Sequence, residues 1–438
     1  MTTISSSFPH RLVQIVPGAL YLLLCAGLSA QEVRVRPANE QGIYQPGETI
    51  RWNLQVKGVD DAQASYVLKK GGLTEVSQGI VKLSNGEGQI EARLEAPGWM
   101  LLEVTVRSPT NKAVKALGGA LVSPDKIQPS VPRPADFDSF WAEKLKELAG
   151  VPMNSEIRPA ESGKAGVDYF KVRMENIRGS HILGQLARPQ KSGKLPAMLI
   201  VQWAGVYGLQ KSWVTDRASE GWLVLNINAH DLPIDETEQF YKDQSNGPLK
   251  DYPSIGNDDR ETSYFLRMYL SCYRGAQYLA DRAEWDGRTL VVTGGSQGGL
   301  QSFVAAALHP KISAVMACVP AGCDLNGPEA GRLPGWPMWH WNTKDKDEAK
   351  VRSSARYFDV VNFASRITCP VLVGVGLIDT VCPSPGVFSA CNQVKSPKEI
   401  VVLPEGEHGD KNGSHQAYYA RFNAWKDAIA KGGPAPVP

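Results

Sequence analysis

Ser296, Asp379 and His408 are the residues of this chain whose types and order suit nucleophilic chemistry. Ser296 sits in Gly294-Gly295-Ser296-Gln297-Gly298, between the apolar run Leu290-Val291-Val292 and a stretch rich in helix formers at 300–308. That spelling predicts a strand, a sharp turn and a helix. A serine held on such a turn has its Oγ lifted clear of the sheet, and the turn tolerates small neighbours such as Gly294, Gly298 and Gly299. The helix that begins there turns free backbone N–H groups toward the oxygen that becomes negative when an ester is attacked. For the pentapeptide alone, a glycine-rich turn without chemistry is the plain alternative.

Around a nucleophile elbow of this kind, an acid and then a histidine follow the serine along the chain. The histidines after Ser296 are His309, His340, His408 and His415. Residues 371–378 read as a buried strand that ends on Asp379, and the next apolar run, 399–403, leads through a short loop to His408. His408 would take the serine proton during attack and return it to the leaving alkoxide, while Asp379 would hold the imidazole tautomer. A turn or cap role is the alternative for Asp379, and His415, opening a helix through Tyr418, Phe422 and Trp425, is the spare base. His408, Asp410 and His415 lack a recognised metal-ligand spacing, so neither metal nor cofactor is expected.

These residues need elements that bring strand ends together. After residue 134, apolar strands are expected at 169–174, 181–188, 197–202, 222–226, 290–292, 312–319, 370–375 and 399–403. Helices are expected at 136–148 and 263–283, the latter with Phe265, Met268, Tyr269, Cys272, Ala276 and Leu279 on one face. Strands alternating with helices predict an α/β fold, a mostly parallel sheet flanked by helices, with its site at the carboxyl ends of the strands. Residues 31–123 differ: Ile50, Trp52, Leu54 and Val56 alternate with polar residues, and turn signals recur. About seven short strands there predict a small all-β immunoglobulin-like sandwich, with a packing or spacer role ahead of carbohydrate binding. The proline-rich stretch 124–134 reads as a stiff linker, and 135–438 as the catalytic domain.

Residues 1–30 read as a secretory signal, with His10 and Arg11 before the apolar run 19–26 and Leu28-Ser29-Ala30 as the cleavage site. A retained anchor is the alternative; Leu24 before Cys25 is poorly suited to lipoprotein processing. The reading implies a secreted or periplasmic protein with no membrane partner after cleavage. A net charge of +2, spread along the chain, carries no nucleic-acid stripe. The seven cysteines lack C-x-x-C spacing, and their pairing is left open.

Several stretches together resemble one family. They are Pro134-Ala135-Asp136-Phe137-Asp138-Ser139-Phe140-Trp141, the elbow around Ser296, Tyr357-Phe358-Asp359-Val360-Val361-Asn362-Phe363-Ala364, and Val375-Gly376-Leu377-Ile378-Asp379-Thr380-Val381-Cys382-Pro383. Over about residues 131–430 the chain resembles the acetyl xylan esterases and cephalosporin-C deacetylases, which are α/β-hydrolases. The resemblance implies removal of acetyl groups from small or oligomeric sugars, and often from the acetyl ester of a cephalosporin. It also implies an oxyanion hole from the backbone N–H groups of Gln297 and Val206, the latter within Ala204-Gly205-Val206-Tyr207-Gly208. The chain departs from the family's Arg-Gly-Gln-Gly with Asn228-Ala229-His230-Asp231, and from its His-Glu pair with His408-Gly409.

Trp336, Trp339 and His230 are the expected substrate contacts. The first two lie in an aromatic insertion within 324–356, and the acid-rich segment 231–261 is expected to form the opposite wall. The expected partner is a small-molecule or oligosaccharide acetyl ester, with a homo-oligomer left open. Two alternatives remain at this point: a serine peptidase or other hydrolase using the same triad, and a catalytically dead carbohydrate-binding or adhesion protein.

Overall fold

Residues 32–57, 63–107, 113–191 and 193–438 are described by the structure, a computed structural model. The expected signal segment and Cys25 lie outside the described residues.

The first part is built from strands β1 (Val33–Pro37), β2 (Ile43–Tyr44), β3 (Ile50–Val56), β4 (Gln63–Lys70), β5 (Thr74–Lys82), β6 (Glu87–Ala92), β7 (Gly98–Arg107) and β8 (Ala113–Val122). They form two sheets, ordered β1-β3-β6 and β2-β8-β7-β4-β5. The period-two pattern of β3 explains the arrangement: Ile50, Trp52, Leu54 and Val56 are buried while the residues between them face solvent. They share an apolar core with Leu68, Leu102 and Val104 of the five-stranded sheet.

The second part contributes β9 (Glu156–Ala160), β10 (Val167–Glu175), β11 (His181–Pro189), β12 (Leu195–Ile200), β13 (Leu223–Ile227), β14 (Trp285–Gly295), β15 (Ala314–Cys318), β16 (Val371–Gly376) and β17 (Lys398–Leu403). The nine strands form one sheet ordered β17-β16-β15-β14-β12-β13-β11-β10-β9. The six strands from β17 to β13 run parallel, and β11, β10 and β9 add antiparallel pairs at one edge. Residues of β13, β15 and β16 are buried throughout, as expected of strands covered on both faces. The helix Gln297–Leu308 is buried along its whole length, which accounts for its low polarity all round. The chain thus has the mixed sheet and flanking helices of an α/β-hydrolase.

The proline-rich stretch between the two parts is tied down along its length. Asn392 Nδ2 donates to the carbonyls of Pro124 and Ile127 at 2.9 Å each, and Ser130 bonds to Asp324 through both its amide and its hydroxyl. The first part also touches the second directly, through the indole N–H of Trp99, which donates to the carbonyl of Leu377 at 3.0 Å. The six described cysteines are buried and unpaired. Among the described residues, no helix is long and apolar enough to cross a membrane.

Candidate functional site

β14 ends at Gly295, and the next residue, Ser296, takes φ 55° and ψ −120° before the helix Gln297–Leu308 begins. That backbone is strained for a residue with a Cβ, and it is held by two bonds: the Ser296 amide donates to Cys318 O, and the Ser296 carbonyl accepts from the Ala321 amide, both at 2.9 Å. The turn closes because Gly298 has no side chain; a Cβ there would lie 2.6 Å from Val201 O.

Two strands across from β14, β16 delivers Asp379 three residues past its end, and β17 delivers His408 five residues past its own. The three expected residues meet. Ser296 Oγ lies 2.8 Å from His408 Nε2, and His408 Nδ1 lies 2.9 Å from Asp379 Oδ2. Asp379 is fully buried, and its other oxygen, Oδ1, accepts the amides of Val381 and Cys382 at 2.8 Å each. Those bonds fix the carboxylate, which in turn fixes the Nδ1–H tautomer and leaves Nε2 free to accept the serine proton.

His415 stands beside this trio without joining it. Its Nε2–H donates to Glu407 O at 2.9 Å and its amide donates to Asp410 Oδ1 at 2.9 Å, so it braces the loop that carries His408. Cys382 approaches the trio as well, and ligand atoms of Asp379, Cys382 and His408 fall within 4.8 Å of one another. Asp379 and His408 are bonded to one another and Asp379 also to two backbone amides, while burial pushes the Cys382 thiol well above its ordinary range.

A cavity of about 440 Å³ opens over Ser296 and His408, lined also by Trp203, Ala204, Trp336 and Tyr419. Among the described residues, nothing accepts the backbone N–H of Gln297 or of Val206. Ala204 lines the cavity, while the Val206 side chain packs partly buried on the core behind it.

The remaining expected residues are placed differently from one another. Trp336 lines the cavity, held by its amide on Val381 O at 2.9 Å. Trp339 is a correction: it is fully buried, packs on Phe265 and Phe358, and donates its indole N–H to Pro253 O at 2.9 Å. It backs the cavity instead of lining it. His230 is a second correction. It is buried with its Nε2–H on Gly205 O at 2.9 Å and its Nδ1 accepting from the Tyr264 hydroxyl at 2.6 Å. Burial holds the imidazole down at about 4, with the Gly205 carbonyl opposing that shift and Arg267 adding to it. The segment 231–261 likewise stands behind the site, where the Tyr252 hydroxyl donates to Gln297 Oε1 at 2.5 Å and accepts from the Gly205 amide at 3.4 Å.

His230 and Tyr252 therefore grip Gly205 from two sides, next to the amide expected to serve an oxyanion. The sequence offered a weak signal for this: aromatic and histidine residues concentrated in otherwise acidic, glycine-containing loops. Trp203, at the cavity mouth, was missed.

Comparison with known proteins gives a consistent picture. Residues 121–426 match the family model described as acetyl xylan esterase (AXE1). The acetyl esterase Axe7A of Xylanibacter ruminicola is 31% identical over 384 residues, 85% of each chain. Among solved structures, acetyl xylan esterase 1 from Thermoanaerobacterium sp. superposes with a TM-score of 0.59 at 24% identity, covering 68% of this chain and 96% of its own. An acetyl xylan esterase from Paenibacillus sp. R4 superposes with a TM-score of 0.59 at 22% identity, covering 69% and 98%.

Proposed function

The chain belongs to the acetyl xylan esterase family and is an acetyl esterase, a carboxylic ester hydrolase; on that premise we propose that it is a secreted serine esterase removing acetyl groups from xylo-oligosaccharides and related acetylated sugars. Ser296 is the nucleophile, His408 the general base and acid, and Asp379 the residue that orients the imidazole and stabilises its charged form. The observation that carries this reading is the continuous relay of 2.8 Å and 2.9 Å from Ser296 through His408 to buried Asp379.

Attack by Ser296 Oγ on the acetyl carbonyl passes its proton to His408 Nε2. The carbonyl oxygen becomes an oxyanion between the N–H groups of Gln297 and Val206, where one donor is typically worth about 3 kcal/mol. His408 then protonates the sugar oxygen as the C–O bond breaks, leaving acetyl on Ser296. Water, deprotonated by the same imidazole, attacks the acyl-enzyme, and His408 passes that proton to Ser296 Oγ as the acyl bond breaks and acetate leaves.

Residues 1–30 are read as the export signal, 31–123 as an immunoglobulin-like sandwich, 124–134 as the linker and 135–438 as the catalytic domain. Cephalosporin C is a second substrate in this reading, since its acetyl ester needs no sugar-specific contact. The test is acetate release by residues 31–438 from p-nitrophenyl acetate, acetylated xylo-oligosaccharides and cephalosporin C, beside Ser296→Ala. Turnover that disappears in the variant supports the nucleophile. Equal release from both proteins refutes it, and retained sugar binding without any turnover in the wild type would favour a carbohydrate-binding protein.

A further inference from the structure

Trp203 is 47% exposed although it lies at the mouth of the cavity that holds Ser296. Leaving so large an apolar ring in water forgoes the stabilisation its burial would give. The ring is nonetheless held firmly. Tyr207 stacks on it with centroids 5.2 Å apart at 24°, and Trp213 meets it edge-on at 5.0 Å and 66°. The Tyr207 hydroxyl closes the turn by donating to Trp203 O at 2.8 Å and lies 3.3 Å from Gln202 Oε1. The carbonyl of the preceding residue, Gln202, is itself fixed by the side-chain amides of Gln301 at 2.8 Å and Gln297 at 3.3 Å. The same short segment that carries Trp203 thus runs between the helix behind Ser296 and the Gly205 loop. Among the described residues, no acceptor takes the Trp203 indole N–H, in contrast to buried Trp99, Trp141 and Trp339.

An exposed ring, immobilised from behind and continuous with the reaction cavity, matches one kind of occupant. The C–H face of a pyranose is apolar and flat, and its rim carries hydroxyls that an indole N–H can meet. We propose that Trp203 is a sugar-binding platform: it stacks against the pyranose adjoining the one whose acetyl group is placed over Ser296, and so selects oligosaccharide esters over small acyl esters. This rests on the esterase reading above and adds the subsite that gives it specificity. Tyr207 and Trp213 act through Trp203 as positioning residues.

The experiment compares wild type with Trp203→Ala and Trp203→Phe, reading kcat and KM separately on acetylated xylotriose and on p-nitrophenyl acetate. In Trp203→Ala, the ratio of kcat/KM for the oligosaccharide to that for the aryl acetate should fall about tenfold, mainly through KM, the loss of one stacked contact. Trp203→Phe should restore most of that ratio. A ratio within twofold of wild type in a folded Trp203→Ala protein overturns the platform. Calorimetric binding of acetylated xylotriose to Ser296→Ala, with and without Trp203→Ala, separates this from failure of the esterase reading. If wild type releases no acetate but the second substitution still weakens binding, the platform stands and the esterase reading falls. Binding that is absent, or unchanged by the second substitution, overturns the platform.

Discussion

Gly119 of β8 lies in the N-terminal part of the chain, yet its substitution by alanine should damage catalysis. A Cβ on Gly119 would sit 2.0 Å from the Leu377 carbonyl oxygen and 2.5 Å from its carbon, where an ordinary contact is 3.4 Å or more. The obstacle is backbone, so Leu377 must retreat by more than 1 Å or the two parts must separate. Leu377 is two residues before Asp379, and its carbonyl also accepts the Trp99 indole N–H. Leu377 and Ile378 donate in turn to Leu403 O at 3.0 Å and Gly406 O at 3.2 Å, on the segment leading to His408. Displacement therefore reaches both partners of the 2.9 Å His408–Asp379 bond. Misplacing a reacting group by about 1 Å costs up to about 10²-fold, and losing the acid altogether about 10⁴. A loss of 10- to 100-fold in kcat is expected, with KM little changed and stability lower by about 1–3 kcal/mol. The control is Gly118→Ala, whose Cβ would meet Val35 Cγ1 at 2.6 Å and Trp52 Cδ1 at 2.8 Å, inside the N-terminal core. It should lower the melting temperature without the same loss of kcat. Full kcat in folded Gly119→Ala, or an equal kcat loss in Gly118→Ala, would refute the coupling.

Asp379→Asn should keep the fold and lose about 10⁴ in kcat, because the amide favours the wrong imidazole tautomer; a loss under tenfold in steady-state assays would remove Asp379 from the relay. Tyr252→Phe deletes the hydroxyl that links Gln297 Oε1 to the Gly205 amide, and about tenfold in kcat should go with it, read as a kcat effect at near-constant KM. Stability should fall as pH drops through the window set by His230. Burial holds its folded value at about 4, against about 6.5 in the unfolded chain. The unfolded chain thus binds more protons between those values, and up to about 3 kcal/mol is lost on acidification across them. Urea midpoints measured from pH 7 to 4 should show a shallower decline in His230→Gln; parallel curves would exclude His230 as the cause.

The relay was legible in the sequence because each member follows a short apolar run with few residues between. Ser296, Asp379 and His408 are all placed by strands whose parallel order puts their carboxyl ends on one edge. Local spelling was enough once strand order could be assumed. The second line of residues was not legible in that way. Whether Trp339 faces a ligand or the core depends on Phe265, Phe358 and Pro253, far away in the chain. The role of His230 depends on where the Gly205 loop folds back. An aromatic residue in a loop carries no mark of which side it presents, so Trp339, expected at the cavity, lies in the core, and Trp203, for which nothing was expected, lines the cavity.

The contact between the two parts is the instructive case, because a signal for it was present. Gly118 and Gly119 are adjacent in the interior of a ten-residue strand, where glycine weakens a sheet and commonly marks close approach of another backbone. One of the pair admits Val35 and Trp52 from its own core, and the other admits the carbonyl of Leu377. Strand period two requires that neighbouring residues face opposite sides, so the pair records two close approaches, one on each face of β8. Read that way, the spelling already says that this sheet is not a free-standing spacer. What it cannot name is the neighbour, which lies more than 250 residues further along the chain, as the Trp99–Leu377 bond with its sequence separation of 278 makes plain. The Gly118 and Gly119 variants test this inference directly, since each perturbs one face alone.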